Sequence, residues 1–202
     1  MPSYSFEGIR PVVHESAYVH PLAVLIGDVV IGAGSYIGPS ASLRGDFGRI
    51  VVGSGANVQD NCTVHSFPGR VVSIADEGHI GHGAILHGCR IERNALVGMN
   101  AVVMDDAIVG EDCIIGALAF VRAGSIAPPG TMWAGAPARE LRAVSDTERA
   151  WKRRGTQVYQ DLVRRCLGSL TPCDPLSQEE VGRQRLSGDF VPLPEWRARD
   201  GG

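Results

Sequence analysis

Residues 96–110 read Leu96-Val97-Gly98-Met99-Asn100-Ala101-Val102-Val103-Met104-Asp105-Asp106-Ala107-Ile108-Val109-Gly110. Every sixth residue is aliphatic (Val97, Val103, Val109), and the position four after each is small. The beat extends in both directions. A first run holds Val13, Val19, Leu25, Ile31, Ile37 and Leu43, and a second holds Val52, Val58 and Val64. A third begins at Ile85 and Ile91 and continues through Val97 to Ile115, Val121, Ala127 and Trp133. Ala23, Ala41, Cys62, Ala95 and Cys113 are among the small partners. A period of six is neither the 3.6 of an amphipathic helix nor the two of an isolated strand.

Such a period suits a stacked solenoid. A short strand makes one flat side, three sides close a triangular coil, and the chain returns to the same side about 18 residues later. The large residue points inward and the small one fills the corner beside it. Eighteen hexads predict about six coils and a prism roughly 30 Å tall at a strand spacing of about 4.8 Å. Hexapeptide repeats of this type resemble the left-handed parallel β-helix, an exception to the usual right-handed crossover. The expected fold is therefore all-β, a left-handed parallel β-helix of hexapeptide repeats followed by a C-terminal α-helix.

Residues 1–12 read as a lead-in, with Phe6 and Ile9 covering the open first coil. Residues 13–138 form the β-helix, interrupted by an insertion at Arg44–Arg49 and a second stretch at Ser66–Gly78. Residues 139–167 hold a helix packed on the prism, opened by the capping box Ser145-Asp146-Thr147-Glu148. Gly155 weakens that helix by about 1 kcal/mol relative to alanine. Residues 168–202 are richer in proline and read as an extended or partly disordered tail. Phe190, Val191, Leu193 and Trp196 in it could strap onto a neighbouring subunit.

The chain has 202 residues, 44% of them hydrophobic, enough for one domain with a sizeable core. A net charge of −3 offers no electrostatic case for nucleic acid or an anionic membrane. No signal peptide and no spanning apolar run are visible, so a cytoplasmic location is expected. The five cysteines include no C-x-x-C pair, and Cys62, Cys89 and Cys113 fall on inward small positions, as core filler.

Three histidines, His65, His82 and His87, stand near the insertions. Neutral imidazole is a common zinc ligand, and three of them leave an open position for catalysis. The ladder fills the prism interior, so these rings face outward, and His82 belongs to a different side from the others. One prism is poorly placed to converge all three. A head-to-tail ring can do so, which predicts a homotrimer with metal at each subunit interface. His14, His20 and His79 read as surface or hydrogen-bonded residues.

Arg44-Gly45-Asp46, Gln59-Asp60-Asn61, His65, Gly81-His82-Gly83-Ala84 and Leu86-His87-Gly88-Cys89 together resemble the γ-class carbonic anhydrase-like family. The resemblance spans about residues 10–167, and within the family it is nearest to the phenylacetic acid degradation branch, with the carnitine-operon branch next. It implies that His65 and His87 bind zinc from one subunit and His82 from its neighbour. It implies an Arg44–Asp60 pair across the interface, Asp46 as a further interface acid, Gln59 holding the metal's water, and Tyr159 near the metal. Iron(II) or cobalt(II) also suits a three-histidine set. The implied function is a metal-hydroxide enzyme that hydrolyses acyl-CoA thioesters in phenylacetate degradation. The alternatives are reversible hydration of carbon dioxide, a CoA-dependent acyltransferase, or a non-catalytic scaffold. The short loop after His65 has no obvious proton-shuttling glutamate, which counts against fast carbon dioxide hydration.

Overall fold

The inward ladder residues lose almost all contact with solvent: Leu25, Ile37, Leu43, Val58, Val64, Val97 and Val109 are 0% exposed. Burying each large aliphatic side chain contributes about 1.5–3 kcal/mol, so the stacked column supplies the core. A computed structural model describes residues 3–200 and shows these columns closed into a left-handed parallel β-helix of about seven coils, followed by a C-terminal helix.

The prism has three faces. The first carries the strands Thr63–His65, Ile85–His87, Val102–Val103 and Phe120–Val121. The second carries Val71–Ile74, Arg90–Ile91, Ile108–Val109 and Ile126–Ala127. The third carries seven parallel strands, from Tyr18–Val19 to Thr131–Ala134. Two long strands, Val24–Ile31 and Ser42–Val52, run through the first–second corner and serve both faces. The Arg44–Arg49 insertion is thus part of a continuous strand rather than a loop that breaks the coil.

Three readings of the sequence are corrected. There are about seven coils, not six, because the Ser66–Gly78 stretch is mostly regular. Val71–Ile74 pairs with both neighbouring coils, and Ile74 and Ile80 are buried in the column. The third run also enters one residue later than Ile85. Ile85 is 42% exposed while Leu86 is buried, and Leu86 pairs with Val64 of the coil before. Two adjacent aliphatics made the phase ambiguous; successive strand residues face opposite sides. Finally, Phe6 and Ile9 do not cover the first coil. They are 41% and 50% exposed and bridge to each other, while Ser3–Tyr4 pairs with Val24–Ile31.

At the far end, Arg139–Ala143 returns antiparallel on Thr131–Ala134, in a segment read from sequence as helical. It covers the last coil's free edge, which would otherwise expose unpaired backbone groups. Helix α1 (Asp146–Ser169) then lies on the third face. Both arms of its capping box form: Ser145 Oγ accepts from Glu148 N, and the Glu148 carboxylate accepts from Ser145 N. Glu148 is completely buried and also accepts a bidentate pair from Arg142 at 2.8 Å. Lys152, 3% exposed, donates to Glu77 O and Asn94 Oδ1 and ties the helix to the prism.

The segment read as an extended tail ends instead in helix α2 (Leu193–Asp200) and folds back on its own chain. Phe190 stacks on Trp151 with ring centres 5.6 Å apart, and Trp151 Nε1 donates to Val191 O. Gly155 leaves room for this ring: a Cβ there would stand 3.1 Å from Phe190 Cζ, a tight contact. No described helix is long and apolar enough to cross a membrane.

Candidate metal centre

The two edges of the first face carry the histidines. At the first–second corner, each inward residue is followed directly by a histidine: Val64 by His65, Leu86 by His87. The two are register partners on adjacent coils, with ring centres 5.4 Å apart. At the opposite, third–first corner, the turn Gly81-His82-Gly83 follows Ile80. It passes so close to the next coil that a Cβ on Gly81 would stand 2.9 Å from Met99 N. His82 therefore projects from a rigid, flat corner.

Each imidazole is held by a carboxylate. His87 Nδ1 is 2.7 Å from Asp105 Oδ1, one coil on. His82 Nδ1 is 3.1 Å from Asp60 Oδ2, one coil back. His65 Nε2 is 3.0 Å from Asp46 Oδ1, and Asp46 also accepts from Arg44 at 3.2 Å. A carboxylate accepts only, so in the neutral ring the nitrogen facing it carries the proton and the other nitrogen is the one with a lone pair to offer. One free lone pair remains per ring, at Nε2 of His87 and His82 and at Nδ1 of His65. Carboxylates orienting histidines in this way are usual around metals. Two imidazoles on one tetrahedral ion, with bonds of about 2.0–2.1 Å, have ring centres about 5 Å apart. The His65–His87 pair fits that requirement. Among the described residues of one chain, no group of three or more potential ligands converges. Phe47 and Phe67, 56% and 58% exposed, flank the pair with rings 5.2 Å from His65 and 5.1 Å from His87.

The remaining residues singled out in the sequence divide between the two corners. Arg44 pairs with Asp46 on the His65 side, while Asp60 sits with His82, so within one chain Arg44 and Asp60 stand at opposite corners of the first face. Gln59 is only 3% exposed rather than free at the surface. Its Nε2 donates to Asn57 Oδ1 (2.9 Å) and lies 2.7 Å from His79 Nε2, and its Oε1 accepts from His82 N at 3.2 Å. Its carboxamide is spent on holding the His82 corner, because α1 covers this edge of the third face. Tyr159 of α1 packs its ring on His79 and Tyr36, each 5.4 Å away, and burial raises its pKa.

Two residues were given no functional role in the sequence. His79, read there as a surface or hydrogen-bonded residue, contacts Gln59 and completes the cluster, and burial lowers its pKa to about 3. Asp105 orients His87; its signal was its position one coil, 18 residues, after that histidine. Beside Gln59, His79, His82 and Tyr159, between α1 and the third face, lies an open-sided cavity of about 470 Å³.

Residues 10–45 and 88–123 match the profile described as bacterial transferase hexapeptide (six repeats). The chain is 57% identical to carnitine operon protein CaiE of Citrobacter koseri, over 96% of this chain and 99% of that one. It is 54% identical to CaiE of Escherichia coli O81, over 96% and 100%. These near relatives are carnitine operon proteins, which corrects the placement nearest the phenylacetic acid degradation branch. A solved hexapeptide transferase family protein from Anaplasma phagocytophilum is 36% identical, with a TM-score of 0.78 over 81% of this chain and 96% of that one. A putative acetyltransferase from Bacillus cereus is 33% identical, with a TM-score of 0.79 over 80% and 94%.

Proposed function

The chain belongs to the hexapeptide-repeat family, in the group of its carnitine operon relatives, and from that premise we propose that it is a metal-dependent hydrolase of acyl-CoA thioesters. It acts as a homotrimer with one centre at each subunit interface. The observation that carries this reading is the His65–His87 register pair at one edge of the first face, with His82 held ready at the other. A threefold ring brings one subunit's His82 edge against the next subunit's His65–His87 edge. His65 and His87 of one subunit and His82 of the next would hold one divalent ion, zinc or else iron(II) or cobalt(II), which would supply Lewis-acid activation of water near neutral pH.

The chain's own groups do the rest. Asp105 and Asp60 hold the Nδ1 protons of His87 and His82, which fixes the tautomers and aims the rings. Gln59 fixes the backbone of His82, and Arg44 fixes Asp46 against His65. Tyr159 closes the cluster from the helix side. Hydrolysis adds the oxygen of water to the thioester carbonyl carbon and breaks the carbon–sulfur bond; one water proton goes to the leaving sulfur to give the free thiol, and the acyl group leaves as a carboxylate with release of the other proton. The relatives' name directs the search for substrates to the acyl-CoA compounds that accompany carnitine.

The names transferase and putative acetyltransferase among the similar proteins favour a second reading, acyl transfer to an acceptor. His79, the one histidine buried beside the cavity, is held neutral with a low pKa and makes a poor base for that step. Metal analysis with three assays separates the readings. Thiol release from acyl-CoA that requires bound metal and no acceptor supports hydrolysis. Thiol release only with an added amine or alcohol supports transfer. Carbon dioxide hydration without thioester turnover supports the carbonic anhydrase reading.

A further inference from the structure

The cavity under α1 is floored by the third face and walled by Leu96, Met99, Leu162 and Phe190. Its polar end is made by Gln59, His79 and His82, the last of which belongs to the proposed centre. No Asp, Glu, Lys or Arg is among its lining residues. The lining itself therefore offers a charged group no counter-ion. Aromatic rings can substitute for a counter-ion by offering their faces to a cation. Here Trp151 and Phe190 stack on each other and so each turns one face to its partner, while Tyr159 lies tilted on Tyr36 and perpendicular to His79. The cavity, about 470 Å³ and open on one side, is far larger than an acetyl group.

We infer that this cavity is the acyl-group site of the proposed hydrolase and takes an uncharged, apolar acyl chain longer than acetyl, with the thioester carbonyl at the His82 end. The inference rests on the hydrolase reading and narrows it. It selects neutral acyl chains over acyl groups that carry a quaternary ammonium, the charged group of carnitine itself. Phe190, brought back by the tail, is the outer wall, so the tail helps to set the chain length accepted.

Ala117 provides the test, because it lines the cavity from an exposed corner outside the core column. Ala117→Phe plugs the space from the prism side, and Val158→Phe plugs it from α1 should the first variant fold poorly. The readout is tryptophan fluorescence of the metal-stripped full-length protein during titration with S-hexanoyl-N-acetylcysteamine. The expected result is saturable binding to the wild type, about tenfold or more tighter than for the S-acetyl and S-(4-trimethylammoniobutanoyl) analogues. The plug variants should lose about tenfold in affinity for the hexanoyl probe and little for the acetyl one. Equal affinity for the three probes, or plug variants that bind hexanoyl normally, would overturn the inference. So would a plug that changes the assembly mass and not the affinity, which would mean a neighbouring subunit fills the cavity. Probe binding as expected with no thiol release by the metal-loaded protein would leave the site standing and remove the hydrolase reading. Equal thiol release from acetyl and hexanoyl thioesters would do the reverse.

Discussion

His87 stands directly beside His65 on the next coil, in strand register, with ring centres 5.4 Å apart. The spacing follows from the solenoid itself. Stacked strands lie about 4.8 Å apart, so identical corner positions one coil apart bring two imidazoles to within reach of one ion. Both rings point away from the column formed by Val64 and Leu86.

His65→Ala and His87→Ala should each abolish stoichiometric zinc binding while the thermal unfolding midpoint of the metal-free protein stays near that of the wild type. Elemental analysis of zinc per subunit, read beside a melting curve, checks this. Unfolding of either variant would mean the rings serve the coils rather than a ligand.

Asp105→Ala should weaken zinc binding by about 10–100-fold, as loss of a carboxylate behind a histidine ligand does. Asp106→Ala should leave it unchanged, since Asp106 pairs with Arg70 at the surface and not with His87. Competition against a zinc-chelating dye separates the two outcomes.

Acid should loosen the helix end. Arg142 first, and then the Ser145 contacts, hold the Glu148 carboxyl down from the ordinary 4.5 to about 2. A depressed carboxylate stabilises the fold above its unfolded pKa and loses that contribution as pH falls through the folded one. Stability should therefore drop between about pH 4.5 and pH 2 in the wild type and drop less in Glu148→Gln. At neutral pH the variant should be less stable by about 1–3 kcal/mol, by denaturant titration.

Alkali should act twice. Burial lowers the Lys152 pKa from 10.5 to about 7, so the folded state sheds a proton that the unfolded state keeps, and stability rises with pH above about 7. Burial raises the Cys62 and Cys89 thiols from 9.0 to about 11 and about 12, so the unfolded state ionises first and stability falls above about pH 9. The midpoint of urea unfolding should peak near pH 9. Lys152→Met should remove the rise and keep the fall.

The six-residue beat made the β-helix legible, because inward and outward positions repeat with the coil and nothing distant decides them. The capping box at Ser145 and Glu148 was legible for the same local reason. Phase was harder where two aliphatics adjoin, as at Ile85 and Leu86. There the step from the inward Leu86 to the inward Ile91 is five residues rather than six, so counting back from Ile91 lands on Ile85, and only pairing with Val64 decides which residue points inward. The histidines His65, His82 and His87 stood out as residue types in a solenoid. Gln59 did not show its burial, since α1 covers it from about 100 residues away, and the landing place of a helix is not written in the local pattern. Phe190 lay among prolines with no periodicity, and only Gly155, a glycine inside a helix, marked where it docks.

The most direct test of the interface centre is subunit complementation. His82→Ala subunits keep the His65–His87 edge, and His65→Ala subunits keep the His82 edge; each variant alone should hold no stoichiometric zinc. Dissociated, mixed in equal amounts and reassembled, they should regain zinc at about a quarter of the sites, the fraction in which the two intact edges meet in a head-to-tail ring. Full zinc occupancy in His82→Ala alone, or no recovery in verified mixed trimers, would contradict a centre shared between subunits.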